Sequence, residues 1–512
     1  MSAEKGSETP NNTITVLEEP FLEFRYSQRV HDPRDGLSLF GPVDVDTDHH
    51  PRNISYGLVG TRDGITQFKV FSDFLRNATP SRAEPLNRIL WPVFPGFETA
   101  YNCVFPENPT RKFEVNSEKL METSRLQDAN QRAFGVVQYY LEGIKDVKKG
   151  DEQMHLVICV VPEEIYRRCR AKSIVEESTG EVVTLSQRRN RAKGQNELFA
   201  TKLVDSVPYN YSINFRRQLK ARAMMIDMPI QIIRDTTLRP DDYNEFGKRG
   251  LTPLSDRAWN LSLALFYKAG GMPWRLGTAR PGVCYVGLVY KRTEPTQGSE
   301  TACCAAQMFL ESGNGVVLRS DFGPWYSPKT KELHLDYSAA KKLLSRVLST
   351  YQGMEGKPLK EVFLHYRSSI DRDEWEAFKS VCPSDVKIIA VRVREDRYGL
   401  HLYREGKWPI LRGTVWKIND RMCYLWGSGF KPRLETYDGA ETPVPLRIEI
   451  QYGEADILQV AKDILGLTKL NFNECKFGDS TPVTIGFSRD VGEILVSNPL
   501  IDEPSQQFKY YI

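Results

Sequence analysis

The order of strands and helices predicted after Pro281 constrains the fold of this chain more than any other feature. Three apolar stretches separated by short turns predict an antiparallel meander. They are GVCYVGLVY from 282, CCAAQMFLES from 303 and VVLRSD from 316, with the turn GNG before the last. Helical and strand patterns then alternate twice. They predict a helix at 338–351, a strand at 360–367, a helix at 373–381 and a strand at 385–393.

This order, three meandering strands and then helix, strand, helix and strand, is that of the ribonuclease H fold. Further elements are predicted beyond it. They are a β-rich insertion over 400–430, a strand at 447–452, a helix at 455–467 and a final strand in PVTIGFS, 482–488. We therefore predict that residues 277–512 form a ribonuclease H-like domain.

Before residue 277, predicted strands alternate with predicted helices. They are a buried strand from His155, a helix at 211–227, a strand at 228–234 and a helix at 257–268 that a Gly-Gly pair closes. Such alternation is typical of a parallel, Rossmann-like sheet. The expected fold class is therefore α/β, with an N-terminal region and a Rossmann-like domain over 16–276. Residues 1–15 are polar and expected to be disordered, and 172–197 are expected to form a surface insertion.

Composition narrows the class of protein. No apolar run approaches the roughly 18 residues that span a bilayer, and the first residues lack the basic and apolar segments of a signal peptide. The nine cysteines form no CxxC pair, which argues against a disulfide framework or a zinc ribbon. The net charge of +3 neither demands nor excludes a nucleic-acid partner, although basic residues cluster at 166–172, 188–193 and 216–222. We expect a soluble, cytoplasmic protein with reduced thiols.

Four polar side chains in the Rossmann-like half suit a phosphate group. Arg216 and Lys220 are four residues apart on a predicted helix, so both project from one face. Gln231 is predicted to end the next strand, at the carboxyl edge of the sheet, where ligands usually bind. Lys268 ends the following helix. Together these groups match the charge and acceptor oxygens of a terminal phosphate.

An alternative to the phosphate site stays open at this stage. Lys268 can serve its helix terminus alone, and Arg216 with Lys220 can form an ordinary exposed face. The GxxxxGK[ST] pattern is absent, which argues against a nucleoside triphosphate loop.

The ribonuclease H-like half lacks the acids that a nuclease of this fold needs. Such enzymes hold two metal ions with carboxylates on the first strand and at the end of the fourth. The stretch 282–290 contains no Asp or Glu, and the fourth strand ends in HYRSS, 365–369. Asp371 and Asp373 follow it but match the start of a helix. We therefore predict a binding surface rather than a nuclease.

Ring side chains along the chain offer further candidates. His365 is interpreted as a packed structural residue rather than a lone catalytic base. Trp274, Trp325 and Trp416 are capable of base stacking, but core packing is the favoured interpretation for each.

Segments in the same order along nearly the whole chain resemble the prokaryotic Argonautes, specifically the short members with only MID and PIWI domains. These segments are DPRDGLSLFGP (32–42), WPVFPGFE (91–98), VVPEEIYRRC (160–169), FRRQLKARAMMIDMPIQIIRDTTL (215–238), KAGGMPWRLG (268–277), RPGVCYVGLVYK (280–291), ACCAAQMFL (302–310) and FKYYI (508–512). The resemblance implies a MID domain followed by a catalytically inactive PIWI domain.

The resemblance also implies roles for individual residues. The residues that match the MID pocket for the 5′-phosphate of a guide are Arg216, Lys220, Gln231 and Lys268, although Argonautes commonly have an aromatic residue or histidine in the first place. Ile512 matches the terminal carboxylate that lies at this pocket, often with a bound Mg²⁺. The places of two catalytic acids are occupied by Val289 and Ser368, which implies that nuclease activity is lost.

The partners implied by the resemblance are a short guide RNA, a single-stranded DNA target and a separate APAZ-containing effector protein. That effector is often a TIR or sirtuin-like domain that degrades NAD. The implied function is a target-sensing subunit whose activation of the effector leads to abortive infection. Two alternatives stay open: a guide-directed nuclease with ligands such as Asp371 and Asp373, and a scaffold that binds only a protein partner.

Overall fold

The structure is a computed structural model that describes residues 13–512, apart from 82–88, 151–152, 176–177, 181–182, 194–204, 241–250, 293–301, 311–314, 320–323, 328–330, 356–357, 440 and 499–504. The strands are β1 (Thr13–Val16), β2 (Leu22–Glu23), β3 (Arg29–Val30), β4 (Tyr56–Gly60), β5 (Arg111–Glu114), β6 (Leu156–Val161), β7 (Ile230–Arg234), β8 (Arg275–Leu276), β9 (Val283–Arg292), β10 (Ala302–Phe309), β11 (Gly315–Arg319), β12 (Trp325–Ser327), β13 (Glu332–His334), β14 (Glu361–Tyr366), β15 (Lys387–Glu395), β16 (Thr414–Asn419), β17 (Met422–Leu425) and β18 (Leu446–Tyr452).

The α-helices are α1 (Pro33–Leu39), α2 (Arg62–Arg76), α3 (Phe97–Tyr101), α4 (Ser117–Ser124), α5 (Ala129–Lys148), α6 (Glu163–Arg168), α7 (Leu185–Ala192), α8 (Phe215–Met224), α9 (Leu254–Lys268), α10 (Tyr337–Glu355), α11 (Arg372–Val381), α12 (Ile457–Leu467) and α13 (Val483–Leu495). Within the described ranges, no helix is long and apolar enough to cross a membrane.

The first half contains a parallel sheet in the order β5-β4-β6-β7, as its alternating pattern predicts. Helices cover both faces, so β6 buries every residue. Leu156, Ile158 and Val160 belong to the core that α2 and α9 complete. Their neighbours in the strand turn to the opposite face, where α5 and α8 pack.

The second half is built on a sheet in the order β1-β16-β17-β18-β15-β14-β9-β10-β11. The meander β9-β10-β11 is antiparallel, and β14 pairs in parallel with both β9 and β15. The predicted ribonuclease H order is therefore confirmed. The β-rich insertion contributes β16 and β17, which extend this sheet beyond β18. One face packs against α10 and α11, and the other against α12 and α13.

The strand predicted in 482–488 is wrong, because this segment begins helix α13. Pro482 precedes the helix. Ser488, Val491 and Leu495 are buried, and their separations of three and four residues are those of one helix face. The helix lies directly on β9: a Cβ at Gly287 would be 2.1 Å from the carbonyl oxygen of Thr484. Glycine is what permits this close approach.

Two predictions for polar segments need correction. Residues 13–15 belong to β1, which pairs with β16, whereas residues 1–12 lie outside the described residues. Part of the predicted surface insertion packs as α7, where Arg191 is buried and donates to the Tyr209 hydroxyl at 3.0 Å. Tertiary contacts therefore bury part of a polar helix that periodicity alone assigns to the surface. The boundary predicted after residue 276 falls at the end of β8, which pairs with β2, and it stays a prediction.

Candidate nucleic-acid interface

Helix α8 carries Lys220 into the interior. The Asn214 side chain caps the helix by accepting from the backbone N–H of Arg217 at 3.2 Å. Phe215 and Leu219 anchor it in the core beside β6. Lys220 is only 4% exposed, and its Nζ donates to the carbonyl oxygen of Tyr511 at 3.2 Å. The burial of an ammonium group without a carboxylate partner is costly, so this position calls for an explanation.

A second lysine reaches the same segment from another helix. Lys268 is the last residue of α9 and is fully buried. Gly270 follows with a φ of 104°, the left-handed geometry that ends the helix. The Lys268 Nζ donates to the oxygen of Ile512 and contacts the carbonyl oxygen of Lys509 at 3.5 Å. Lys220 and Lys268 therefore meet at the last two residues of the sequence.

The two lysines and Arg216 act on one another electrostatically. Burial, and then the charges of Arg216 and Lys268, hold the pKa of Lys220 well below its usual range. Burial and the charge of Arg216 lower the pKa of Lys268 to about 7. An arriving anion would reverse both effects, because an opposite charge favours the protonated amine. The arrangement is therefore suited to a ligand with concentrated negative charge.

A cavity of about 270 Å³ opens beside Lys220 and Tyr511. The charged residues that line it are Arg170, Arg216, Arg217, Lys220, Arg489, Asp490 and Glu493. Glu493 is already engaged by Arg217 at 2.5 Å and by Lys291 at 3.3 Å. Of the carboxylates in the described parts of the chain, none pairs with Arg170 or Arg216. The mouth of the cavity therefore has an excess of positive charge.

The segment that ends at Ile512 is held by both halves of the molecule. The Tyr510 hydroxyl donates to Asp227 at 2.5 Å, on the side of the parallel sheet. The Phe508 ring lies 5.4 Å from the Phe309 ring and 5.1 Å from the Phe487 ring, on the side of the larger sheet. Ile512 itself is 3% exposed. Its aromatic neighbours thus hold the Ile512 oxygen beside Lys268.

Gln231 does not lie where the sequence predicts. It is the second residue of β7, near the amino end rather than the carboxyl end, because the strand begins at Ile230. Its Nε2 approaches only the carbonyl oxygen of Ile232, at 3.5 Å, and Gln231 does not line the cavity. Helices α8 and α9 both contact β7, but no hydrogen bond joins the described Gln231 side chain to Lys220 or Lys268.

The positions of the missing acids lie on neighbouring strands of the larger sheet. Val289 in β9 pairs with Ala305 in β10, and Ser368 follows the end of β14. His365 is fully buried, and burial lowers its pKa to about 3. Its Nδ1 lies 3.0 Å from the Thr484 hydroxyl. These contacts agree with a packed, uncharged histidine.

The acids that follow β14 serve local structure. Asp371 caps α11 by accepting from the N–H of Glu374 at 2.9 Å, and the Glu374 side chain accepts from the N–H of Asp371. Asp373 is exposed in the first turn of the helix. Across the described ranges, no group of three or more His, Cys, Asp or Glu residues is placed to hold a metal ion.

The three candidate tryptophans differ in how deeply they are buried. Trp274 is a core residue whose Nε1 donates to the carbonyl oxygen of Lys469 at 3.0 Å. Trp416 is half-buried, whereas Trp325 is 46% exposed, so core packing is wrong for Trp325. Sequence reasoning did not single out Arg489 at the cavity. A lone arginine within a helix carries no signal, whereas Arg170 lies in the basic cluster at 166–172.

No protein-family profile and no curated protein matches this sequence. Solved structures match its fold. The Argonaute of Clostridium butyricum, bound to a guide DNA and a 19-mer target DNA, is similar over 98% of this chain, with a TM-score of 0.59 and 14% identity. Two structures of Aquifex aeolicus Argonaute, one with externally bound siRNA, cover 98% and 99% of it at TM-scores of 0.55 and 0.56, each with 14% identity. This chain spans 55–56% of those proteins. The chain therefore has an Argonaute-like fold that corresponds to just over half of each of them.

Proposed function

We propose that this chain binds the 5′-phosphorylated end of a short guide RNA and pairs that guide with complementary single-stranded DNA. The observation that carries the proposal is the meeting of Lys220 and Lys268, both buried and without an Asp or Glu partner among the described residues, beside a cavity lined with arginine. The Argonaute-like fold supports it, because one of the similar structures contains a guide and a target strand.

The proposed chemistry follows from the charges. A terminal phosphate carries close to two negative charges and has several acceptor oxygens, so it accepts charge-assisted hydrogen bonds from two lysines at once. It would raise the lowered pKa of Lys268 by supplying the missing opposite charge. Arg216 and Arg170 at the mouth suit the phosphates that follow. Sequence recognition is then left to base pairing.

A Mg²⁺ ion is part of the proposal. Mg²⁺ is typically bound through one or two carboxylates together with waters and substrate phosphates. We propose that Ile512 contributes a carboxylate oxygen and the guide phosphates the others, and that Lys268, whose Nζ donates to the Ile512 oxygen, keeps that group in place. Bound there, Mg²⁺ would neutralise guide phosphates.

We further propose that the chain is a cytoplasmic sensor rather than an enzyme. It would act with an APAZ-containing effector, TIR or sirtuin-like, that depletes NAD and causes abortive infection. Val289 and Ser368 in place of acids, and the capping role of Asp371, support the absence of slicing. The alternative is a guide-directed nuclease. Guide-dependent cutting of a matched DNA in Mn²⁺ at one fixed position would favour that alternative.

The test of guide binding is a comparison of copurifying nucleic acid. Lys220→Met with Lys268→Met should abolish retention of short 5′-phosphorylated RNA, measured by end-labelling the extracted nucleic acid with and without phosphatase. Lys431→Met is a matched control, since Lys431 is also buried but pairs with Asp438 at 2.8 Å. Equal amounts of short RNA from the wild type and the double variant would refute the pocket.

A further inference from the structure

The loop that follows β15 exposes aromatic and basic side chains together. Residues 396–409 read DRYGLHLYREGKWP. Tyr398 is 97% exposed and Tyr403 is 74% exposed. The exposed basic residues of the loop are Arg397, His401, Arg404 and Lys407, and its acids are Asp396 and Glu405. Exposure of two large rings beside cations is unusual for a loop that only connects strands, because bare aromatic surface is unfavourable in water.

The second half of this loop is fixed rather than free. The Trp408 ring stacks on the Phe430 ring, with centroids 5.4 Å apart and planes at 24°. The Arg404 guanidinium lies 4.9 Å from the Phe430 centroid, and its Nε donates to the carbonyl oxygen of Trp408 at 3.2 Å. Lys407 Nζ lies 5.0 Å from the Trp408 centroid. These contacts hold the cations of Arg404 and Lys407 against the Phe430 and Trp408 rings. The two side chains therefore lose less conformational entropy when they bind a ligand.

A pair of like charges lies beside the loop. Arg394 in β15 is directly opposite Arg447 in β18. Like charges directly opposite in a sheet are destabilising. Arg394 is exposed and has no partner among the described carboxylates, whereas Arg447 has only Glu449, at 3.6 Å. An anion bound over the pair would offset the repulsion.

The topology places this loop at a particular edge of the larger sheet. Because β9, β14 and β15 are parallel, their carboxyl ends share one edge. The positions of Val289 and Ser368 lie toward this edge, and the loop leaves β15 from it. Nucleases of this fold place their metal-binding acids on the same strands. The loop therefore begins beside the strand ends at which nucleases of this fold hold their metal ions.

A cavity of about 610 Å³ lies against the first half of the loop. Arg397, Tyr398 and His401 line one side, and Ser428, Tyr437 and Glu441 line the other. This volume falls within the usual range of small-molecule sites and is sufficient for a nucleotide. Arg397 is held toward the strand by Glu395 at 2.8 Å.

We propose that the loop 396–409 binds unpaired nucleotides of a single-stranded DNA segment. Bases stack on Tyr398 and Tyr403, and phosphates contact Arg394, Arg404 and Lys407. Combined aromatic and cationic contacts are the mode by which proteins bind single strands without reading sequence. The identity of the strand as the target of the guide rests on the function proposed above.

The test uses the full chain loaded with a synthetic 5′-phosphorylated guide. Its probes are a DNA that pairs along the whole guide, and the same DNA with ten unpaired thymidines at either its 5′ or 3′ end. The wild type should bind one flanked probe more tightly than the blunt probe. Tyr398→Ala with Tyr403→Ala should remove this advantage, by about tenfold in Kd for each base that no longer stacks. Tyr26→Ala, at a tyrosine 68% exposed in another part of the chain, is the control.

A charge variant sharpens the test. Arg394→Gln with Lys407→Gln should flatten the dependence of log Kd on log salt for the flanked probe, by about 0.7 for each phosphate that the variant no longer neutralises. Equal affinity for blunt and flanked probes in the wild type, or an equally large decrease in affinity for both probes in the tyrosine variant, would overturn the proposal.

Failure of guide binding has a separate outcome. A wild type that retains no guide refutes the proposed function, and the loop is then tested with the thymidine oligonucleotide alone. Weaker binding by Tyr398→Ala with Tyr403→Ala than by the wild type supports the loop site in that case. Equal binding refutes it.

Discussion

Buried charges are compensated differently in two regions of the molecule. One is the lysine pocket, formed by Arg216, Lys220 and Lys268, and the other is the strand edge near Ser368, where β14 ends. In the pocket, the described contacts of Lys220 and Lys268 are to backbone oxygens, and Arg216 adds a third positive charge. At the strand edge, the acids Glu374 and Glu332 are already engaged. Glu374 accepts from Leu335 and Tyr290, and Glu332 accepts from Ser369 and Arg392.

This difference indicates where a ligand is needed. A site whose charges are satisfied internally gains little from an anion or a metal, whereas uncompensated buried cations gain a great deal. The pocket therefore fits a binding function, and the strand edge fits a structural one. A change of charge in one region should therefore leave the function of the other unaffected.

The largest effect is expected at Arg216. Arg216→Glu should weaken binding of a 5′-phosphorylated guide about 10- to 100-fold, the usual scale when a charge-assisted hydrogen bond is removed. The same change should raise the melting temperature of the guide-free protein, because the charge of Arg216 lowers the pKa of both lysines. Fluorescence anisotropy and differential scanning calorimetry give the two readouts. A decrease in stability together with the decrease in affinity would contradict this account.

The next effect is expected at the strand edge. The Glu374 carboxylate accepts hydrogen bonds from the Leu335 N–H at 2.6 Å, the Asp371 N–H at 3.0 Å and the Tyr290 hydroxyl at 2.9 Å. Glu374→Gln replaces one acceptor oxygen by a donor and should lower the free energy of unfolding by about 2 kcal/mol in urea titrations. Guide affinity should not change. A variant that keeps its stability but no longer binds guide would assign Glu374 to the binding site instead.

A smaller effect is expected from pH. Below about pH 7, Lys268 binds its proton in both the folded and unfolded chain. Between about 7 and its usual pKa of 10.5, only the unfolded chain binds it, so stability should rise with pH across this window. Guide binding favours the protonated amine, so affinity should fall as pH rises above 7, by at most about tenfold per pH unit for one proton.

The variant Lys268→Met isolates this pH effect. It should remove the contribution of Lys268 to the pH dependence of stability and of guide affinity. Urea titration and anisotropy between pH 6.5 and pH 9 measure the two, in a range that begins near the lowered pKa of about 7. Identical pH slopes in the wild type and the variant would show that Lys268 does not titrate in this range.

The smallest effect is expected at Asp371. Asp371→Ala removes the cap of α11 and should lower the free energy of unfolding by about 1 kcal/mol. Guide affinity should stay the same, and no guide-directed cutting should be seen in Mn²⁺ with either protein. Cutting by the wild type that disappears in the variant would instead support the nuclease alternative.

Much of the architecture could be predicted, because the spacing of apolar residues and the order of strands and helices are read directly from the sequence. The meander from 282, the parallel sheet and the helix ending at Lys268 follow from apolar spacing and glycines. The sequence pattern does not identify helix α13, because PVTIGFS is short and rich in β-branched residues, and the helical spacing appears only with Val491 and Leu495. Gln231 was misplaced because the extent of a short strand depends on its pairing partner, here β6.

The candidate site also depends on tertiary packing that the sequence pattern does not show. The spacing of Arg216 and Lys220 predicts a shared helix face, but the depth of Lys220 and its hydrogen bond to Tyr511 depend on tertiary packing. Arg170 and Arg489 reach one cavity from segments far apart in the sequence. The cross-strand pair of Arg394 and Arg447 likewise requires the register of two strands.

The most direct measurement is the ratio of dissociation constants for one guide RNA with a 5′-phosphate and with a 5′-hydroxyl. For the wild type, binding through Lys220 and Lys268 predicts a preference of about 100-fold for the phosphorylated RNA, and Lys220→Met with Lys268→Met should reduce the ratio to near one. Equal affinity of the wild type for both RNAs would contradict the claim that these buried lysines hold a terminal phosphate.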